Sequence, residues 1–358
     1  MDRIAAGRNH TLIVDDDGSV WTCGDNSASQ LGNFSLFAKK QPKFKKLKRV
    51  PEMRAVCASF YFSLFIDKEN QVWGCGNNVC GQLGVNKPTF RIDHLTKMEN
   101  VPLARSVACE YHQSLLLDEE GYVWSTGENA HGQLGLGDNA KRLCPEKIEG
   151  LPPIKSISCG IRYSMLLDFN GYVWTAGQIA MKSKTHNYKK PTLISGLESI
   201  RDTFSGSFHS ICINEKDEII GCGKLNAISK DPEILNISLP PMVNASASTT
   251  RSLFIDHQGS LWGTGKHIFA DFAENNDFSY TEIEYKMEES VAPFTAVSAG
   301  HSHTILVSTN GSVYTTGSKK NSALGLGSTK IPASKLNKIP KLSVIDGPVY
   351  CVKSARNV

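Results

Sequence analysis

The residues of this chain that could bind a metal are two histidines and a run of three aspartates. His301 and His303 lie two residues apart, so on a strand both imidazoles would face the same side and could share a zinc ion. A zinc site needs two further ligands, and the spacing of the remaining residues does not supply them. The aspartates at 15–17, followed by Gly18, begin like a calcium loop but lack its later ligand positions. We therefore expect no metal site and interpret 15–18 as a tight turn.

The sequence also lacks the short motifs of common catalytic centres. It contains no Gly-rich phosphate loop, no nucleophile elbow and no zinc-binding His-Glu helix. His10, His209 and His303 recur at one position of a repeated pattern. At that position the other copies have Phe62, Gln113, Tyr163 and Arg251. A position shared by such different side chains indicates a structural role at the start of a hairpin, so we expect no catalytic residue, no cofactor and no enzyme activity.

The elements that carry these residues form a hairpin pattern that is written seven times. In each copy an apolar strand opens with Ser or Thr, a turn follows, and a second strand ends in a small residue and a glycine. The distance from the opening residue to the closing glycine is 13 residues in every copy. The closing glycines are Gly24, Gly76, Gly127, Gly177, Gly223, Gly265 and Gly317. A spacing held constant seven times indicates a repeat protein.

The residue types within each copy fit a tight hairpin. Position seven after the opening residue is always Gly, Asn or Asp, which enter the left-handed backbone region most readily. Position ten is aromatic in six copies, as at Trp21, so we expect one large side chain to fill each unit. The first hairpin strand is apolar without alternation, as at 115–117, which indicates a strand covered on both faces.

Each repeat contains one strand candidate before the hairpin, as at 105–109, and another after it. The strand after it often contains proline, as at Pro145 and Pro191, and proline confines a strand to the edge of a sheet. Four-stranded units at intervals of 42 to 52 residues predict an all-β fold, a seven-bladed β-propeller of four-stranded antiparallel blades. We expect one propeller domain over residues 1–358. The alternative, a linear β-solenoid, usually repeats at shorter intervals.

The composition is that of an ordinary soluble globular protein. The net charge is +4, with 21% charged and 40% hydrophobic residues, and we expect no signal peptide and no membrane span. Among the ten cysteines, Cys23, Cys75 and Cys222 share one repeat position, while Cys109 and Cys159 share another. This recurrence favours small buried side chains over disulfides and therefore a reducing compartment. We expect a monomer in the cytosol, the nucleus or both.

The repeats resemble those of the regulator of chromosome condensation family. The resemblance rests on Ala-Gly-Arg-Asn-His-Thr at 6–11 and on two copies of the pattern G-x-N-x-x-G-Q-L-G that end at Gly84 and Gly135. It implies a seven-bladed propeller, in agreement with the count of hairpins. Members of that family include an exchange factor for the GTPase Ran that docks on nucleosomes, and interaction modules of ubiquitin ligases, kinases and ciliary proteins. The resemblance implies a non-catalytic scaffold that binds a protein partner through propeller loop faces. The alternative is a guanine-nucleotide exchange factor for a small Ras-like GTPase such as Ran, with or without contact to nucleic acid or chromatin.

The copies disagree most in blades four to six. Gln-Leu-Gly follows the first three hairpins and persists as Ala-Leu-Gly at 323–325, but it is absent after Gly177, Gly223 and Gly265. Two interpretations stay open: drift in a tolerant fold, or loops that shape a binding face of their own. In the exchange factor of the family, a β-hairpin wedge protrudes from one blade towards the nucleotide site. The segment 136–153 after the third hairpin resembles an ordinary outer strand, so we expect no wedge there.

Two charged segments are candidate partner-binding surfaces. The basic segment has seven cations and no acid in eleven residues: Lys39, Lys40, Lys43, Lys45, Lys46, Lys48 and Arg49. It fits an acidic or phosphate-bearing partner or a nuclear-import signal, and equally a solvated edge strand protected by lysines. The acidic segment lies between the sixth and seventh hairpins, with candidate residues Asp271, Glu274, Asp277, Glu282 and Glu284. Opposite charges on blades one and six would create a field that steers a partner.

The end of the chain, residues 349–357, resembles an eighth copy of the strand that precedes each hairpin. Either this segment helps to close the ring by pairing with N-terminal strands, or it begins a further part of a longer protein. An open propeller would expose two strand edges, which favours ring closure.

Overall fold

The computed structural model describes residues 3–34, 38–86, 89–181, 184–223, 233–234, 240–249, 251–265, 283–285, 291–319, 321–327 and 336–344. These residues form seven four-stranded antiparallel sheets, each built from four consecutive strands, and the sheets are the blades of a propeller. No helix in the described ranges is long and apolar enough to cross a membrane. The predicted seven-bladed β-propeller is confirmed.

The first strand of each blade lies innermost and the fourth lies outermost. The strands of blades one and two are β1 (Ile4–Ala6), β2 (His10–Val14), β3 (Val20–Asp25), β4 (Lys40–Lys46), β5 (Met53–Ala58), β6 (Phe62–Asp67), β7 (Val72–Asn77) and β8 (Arg91–Lys97). Those of blades three and four are β9 (Ala104–Glu110), β10 (Gln113–Asp118), β11 (Val123–Gly127), β12 (Arg142–Lys147), β13 (Ile154–Cys159), β14 (Tyr163–Asp168), β15 (Val173–Met181) and β16 (Lys184–Leu193). Those of blades five to seven are β17 (Ile200–Ser205), β18 (His209–Asn214), β19 (Ile219–Gly223), β20 (Glu233–Ile234), β21 (Met242–Ala247), β22 (Arg251–Asp256), β23 (Leu261–Gly265), β24 (Ile283–Tyr285), β25 (Phe294–Ala299), β26 (His303–Ser308), β27 (Ser312–Gly317) and β28 (Asn337–Ser343).

The constant spacing of 13 residues follows from the pairing of the two hairpin strands, which is the same in every blade. In blade one Thr11 pairs with Cys23, and His10 pairs with the closing Gly24. The other six blades repeat both pairs at equivalent positions. The backbone of Gly24 has a φ of 105°, and a Cβ there would lie 2.4 Å from the carbonyl oxygen of Asn9. Only glycine tolerates this approach, which explains why every hairpin closes with it.

A hydrogen bond between an aspartate and a tryptophan holds the hairpin of five blades. In blade three the indole Nε1 of Trp124 donates to Asp118 at 3.0 Å, while the second carboxylate oxygen accepts the backbone N–H of Tyr122 at 2.7 Å. Blades one, two, four and six have the same arrangement. The tryptophans are half-buried, so the expectation that they fill the units was only partly right. They brace the turn through a carboxylate that the sequence argument did not single out.

The hydrophobic core lies between the blades. Seven clusters of buried side chains are present among the described residues, and each joins two neighbouring blades. The second strands, such as β6 and β10, are buried along their whole length, as their apolar sequence predicted. Blades seven and one share a cluster that includes Ile4, Ile13 and Ile305. The ring is therefore closed by packing between complete blades, and the C-terminal segment 349–357 lies outside the described residues.

The two faces of the disc differ in the loops that form them. We call the front face the one formed by the loops between first and second strands and between third and fourth strands. We call the back face the one formed by the hairpin turns and the links between blades. The two kinds of front loop touch in each blade where both are described, as in the bond from the Asp25 N–H to the Asn9 carbonyl at 2.8 Å.

Candidate protein-binding face

The repeated histidines lie between blades. The Nε2 atoms of His10 and His209 lie 3.0 and 2.9 Å from the hydroxyls of Ser63 and Ser252, each on the next blade. His303 contacts a hydroxyl of blade one in the same way, at 2.9 Å. The predicted structural role is right, but its partner is the neighbouring blade rather than the local hairpin. Burial lowers the pKa of His10 and His209 to about 4 and that of His303 to about 3, so all three are neutral.

Other residues at this position bond to the next blade in their own ways. Gln113 and Arg251 donate to backbone carbonyls of the following blade, and the hydroxyl of Tyr163 lies within hydrogen-bond distance of two carbonyl oxygens of blade five. Phe62 instead packs into the cluster shared by blades two and three. The repeat position therefore connects neighbouring blades through the chemistry of whichever side chain it carries, which explains why it tolerates five residue types in seven copies.

The Gln-Leu-Gly loop accepts a second kind of hydrogen bond between neighbouring blades. The carbonyl oxygens of Gln30, Gln82 and Gln133 each accept a 2.7 Å bond from the opening serine of the following hairpin. In blade seven the carbonyl of Ala323 accepts a bond from Thr11 at 2.6 Å. The loss of this sequence after Gly177 is thus a structural change, and blade four shows what replaces it.

Blade four carries a protruding β-hairpin in place of the Gln-Leu-Gly loop. Beyond Gly177, β15 and β16 continue to pair from Gln178 with Asn187 as far as Met181 with Lys184. The hairpin extends from the front face, and the N–H of Gln178 is bonded at its base to the Arg162 carbonyl at 2.7 Å. The sequence from 169 to 197 contains four lysines and no acidic residue. The absence of the repeat motif was noted from the sequence, but the hairpin was not predicted. The segment after the third hairpin forms the ordinary outer strand β12, as expected.

Aromatic side chains lie on the front face, in the loops between first and second strands of blades two, three and five. The ring of Phe60 lies 5.5 Å from that of Tyr111, edge to face, and the guanidinium of Arg8 lies 5.2 Å from the Phe60 centroid. Arg8 also donates a hydrogen bond to the hydroxyl of Tyr61. Tyr111 is 38% exposed, and Phe208 on blade five is 46% exposed. These residues vary from copy to copy, which is why the repeat pattern did not mark them.

The basic segment lies on the outer edge of blade one. Its seven cations are exposed, five of them along or beside β4, and Lys46 pairs with Asp17 at 3.4 Å. Lys43 forms a backbone bridge to Leu326 of blade seven. The segment is therefore displaced to the rim, away from these aromatic side chains. In the acidic segment, Asp271, Glu274, Asp277 and Glu282 lie outside the described residues, and only the backbone of Glu284 is placed, opposite Trp262.

The described cysteines are free thiols, and six of them are buried: Cys23, Cys75, Cys109, Cys159, Cys212 and Cys222. Burial raises the pKa of the Cys23 and Cys159 thiols, so they remain protonated. This agrees with the prediction of small buried side chains.

Comparison with known proteins identifies the repeats. The description "Regulator of chromosome condensation (RCC1) repeat" matches residues 120–167, and a second description of the same repeat matches residues 2–30, 53–82 and 294–322. The matched segments contain hairpins of blades one, two, three, four and seven in whole or in part. These four segments are repeats of the regulator of chromosome condensation type, and the resemblance that the sequence indicated is confirmed.

Curated relatives of this RCC1-repeat protein align with part of the chain. It is 30% identical over 138 residues to the probable E3 ubiquitin-protein ligase HERC6 of Homo sapiens, covering 37% of this chain and 13% of that protein. It is 28% identical over 170 residues to the Protein RCC2 homolog of Danio rerio, covering 40% of this chain and 34% of that protein. The chain thus spans less than half the length of these curated relatives. Prp20p of Saccharomyces cerevisiae has the same fold, with a TM-score of 0.79, 19% identity, and 90% and 85% of the two chains covered.

Proposed function

We propose that this RCC1-repeat protein is a non-catalytic interaction module that binds a protein partner through its front face. The observation that carries the proposal is the pair of exposed aromatic side chains in these front loops, where Tyr111 and Phe208 present large rings to solvent. Exposed aromatic side chains on a rigid scaffold are typical anchors of protein interfaces. We further propose a monomer that acts in the cytosol, the nucleus or both.

Two of the three exposed rings that the described part of the back face carries are contacted by cations of the chain. Tyr122 and Tyr172 at hairpin turns are 45% and 40% exposed, close to the values of the two front-face residues. However, the ammonium of Lys147 lies 3.4 Å from the ring centroid of Tyr122, and the guanidinium of Arg105 lies 5.5 Å from that of Phe169. Cations of the chain itself occupy these ring faces, which leaves less apolar surface for a partner.

Because the four side chains have similar exposed fractions, the two faces can be compared by substituting two aromatic residues on each. Tyr111→Ser with Phe208→Ser removes two front-face anchors, and Tyr122→Ser with Tyr172→Ser removes two rings of similar exposure from the back face. A partner isolated with the wild-type protein and then purified should bind the front-face variant at least about tenfold more weakly. It should bind the back-face variant as tightly as the wild type. Equal weakening by both variants would contradict the proposal.

The second candidate function is guanine-nucleotide exchange on a small Ras-like GTPase such as Ran. The protruding hairpin of blade four favours it, because an exchange factor of this family uses a β-hairpin wedge, and the hairpin rises from the same face as the exposed aromatic side chains. Prp20p is described as binding Gsp1p and histones, which supports a GTPase or chromatin partner for a protein of this fold.

The hairpin can be shortened without changing its register. Replacing residues 180–185 by Asn-Gly leaves Ile179 paired with His186 across a two-residue turn. If the chain is an exchange factor, the wild type accelerates release of labelled GDP from one member of a panel of Ran-like, Rab-like and Rho-like GTPases, and the shortened protein does not. No acceleration by excess wild-type protein on any of them would remove this candidate and leave the interaction module.

We also propose that the basic segment (Lys39, Lys40, Lys43, Lys45, Lys46, Lys48 and Arg49) contributes a second contact with an acidic partner. Its support is the exposure of all seven cations on one edge.

A further inference from the structure

The seven innermost strands enclose a cavity of about 250 Å³ on the axis of the propeller. Its walls carry mostly small side chains, many with hydroxyl groups: Ser106, Ser156, Ser158, Thr203, Ser246 and Ser298. The hydroxyl oxygen of Thr203 has no hydrogen-bond partner among the described residues. The cavity is therefore lined by groups that can donate to and accept from a polar ligand.

One residue of the wall departs from the repeat. At the position three residues before the one that His10 occupies, the other six blades have glycine or serine: Gly7, Ser59, Gly160, Gly206, Ser248 and Gly300. The position is crowded, since a Cβ at Gly206 would lie 2.1 Å from the carbonyl oxygen of Ser248. Blade three has Glu110 there, and its carboxylate crosses the opening to accept a 2.9 Å bond from the Ser207 hydroxyl of blade five.

Glu110 is a carboxylate without a cation. None of the described residues forms an ion pair with it, and burial raises its pKa to about 7. The hydroxyl of Ser207 also lies 3.1 Å from the hydroxyl of Thr249, which in turn lies 3.2 Å from Nδ1 of His301. Glu110 is a half-buried carboxylate that lacks a countercharge and lines the cavity, and such groups in cavities are candidate binding groups.

The other charged groups at the cavity do not neutralise Glu110. Asp202 pairs with Arg201 at 2.9 Å. Arg8 lies over the rings of Phe60 and Tyr61, and burial lowers the pKa of His301. The thiols of Cys57, Cys109 and Cys159 line one side.

We propose that the central cavity binds a small linear primary amine, whose ammonium group pairs with the Glu110 carboxylate and whose chain lies among the wall hydroxyls. The ammonium supplies the countercharge that the protein lacks, and Ser207 keeps the carboxylate pointed across the opening. A narrow axial cavity with small walls selects an unbranched ligand over a bulky one.

The test is calorimetric titration with 1,4-diaminobutane, with 1,4-butanediol as the uncharged ligand of the same length. At pH 8 the wild type should bind the diamine saturably and the diol at least about tenfold more weakly. Glu110→Gln keeps the size of the side chain and should weaken diamine binding at least about tenfold. Glu110→Ser carries the residue type of blades two and six, so it preserves the fold and should lose binding equally. The control is Tyr172→Ser at a hairpin turn of the back face, which should bind the diamine within about threefold of the wild type.

The pH dependence gives an independent readout. Because the carboxyl with a pKa of about 7 must be ionised to pair with the amine, affinity should rise roughly tenfold from pH 6 to pH 8. Binding at pH 7 should release protons, measured as a dependence of the heat on the ionisation enthalpy of the buffer. No saturable binding of the diamine at pH 8, or equal binding by Glu110→Gln or of the diol, would overturn the proposal.

Discussion

Nε2 of His303 lies 2.9 Å from the hydroxyl of Thr11, so the last blade is bonded directly to the first. The same hydroxyl donates to the carbonyl of Ala323, also in blade seven. Blade one takes all four of its strands from the start of the chain, and blade seven takes its four from residues 294–343. Within the described residues, closure therefore rests on contacts between side chains and loops of two complete blades.

Truncation of His303 should weaken this closure. His303→Ala leaves a cavity between two blades and removes one partner of Thr11, so we expect a loss of about 2–4 kcal/mol in the free energy of unfolding. His303→Phe introduces the residue that blade two already has at this position and should cost less. Denaturant titration of both variants tests the ranking, and equal losses would show that restoring the side-chain volume recovers no stability, contrary to the prediction.

Stability should fall with acid between pH 6.5 and pH 4. The folded protein keeps His10, His209 and His303 neutral with pKa values of about 3 to 4, while the unfolded chain protonates them near 6.5. The unfolded state therefore binds more protons in this window, and each histidine adds a slope of up to about 1.4 kcal/mol per pH unit. The raised pKa of Glu110 has the opposite effect on stability, so it offsets the contribution of about one of the three histidines.

The control for this pH dependence is His10→Phe, which removes one titrating group from the set. The melting temperature of the wild type should drop from pH 7.5 to pH 5, and that of the variant should drop less steeply. An identical dependence on pH in both proteins would exclude His10 as a contributor.

The pair of Asp118 and Trp124 should act as one unit. Blade five has Asn214 and Ile220 in place of this pair, so both members differ together. We expect Asp118→Asn and Trp124→Ile each to destabilise blade three, and the double variant to lose about 1–2 kcal/mol less than the sum of the two. A double-mutant cycle by denaturant unfolding measures this coupling, and strict additivity would refute it.

Charge reversal on the rim should affect partner binding more than stability. Lys45 and Lys48 are exposed, whereas Lys46 pairs with Asp17. Lys45→Glu with Lys48→Glu should weaken an acidic partner and flatten the dependence of affinity on salt, because fewer counterions are released or screened. The control is the same reversal at the exposed Lys338 and Lys341 on the outer strand of blade seven. Equal binding by the rim variant and the wild type would make the basic segment only a solvated edge.

The fold was predictable because its determinants recur. The pairing of Thr11 with Cys23 is repeated at a fixed spacing, so seven copies disclose one register. The sequence also marked the loss of Gln-Leu-Gly after Gly177, but a missing motif does not distinguish drift from a new hairpin. Phe208 and Glu110 escaped notice for a related reason: each occurs in one copy, and its importance depends on neighbours from distant blades. The contact from Glu110 to Ser207 spans 97 residues, and no local pattern encodes it.

Hydrogen–deuterium exchange of the protein with and without its purified partner tests the front-face assignment most directly. We predict that binding protects the amides around Tyr111 and Phe208 and those of the blade-four hairpin near Gln178. The hairpin turns of the back face, around Tyr122 and Tyr172, should exchange at unchanged rates. Protection confined to those turns, or to the outer strand β4, would contradict the account.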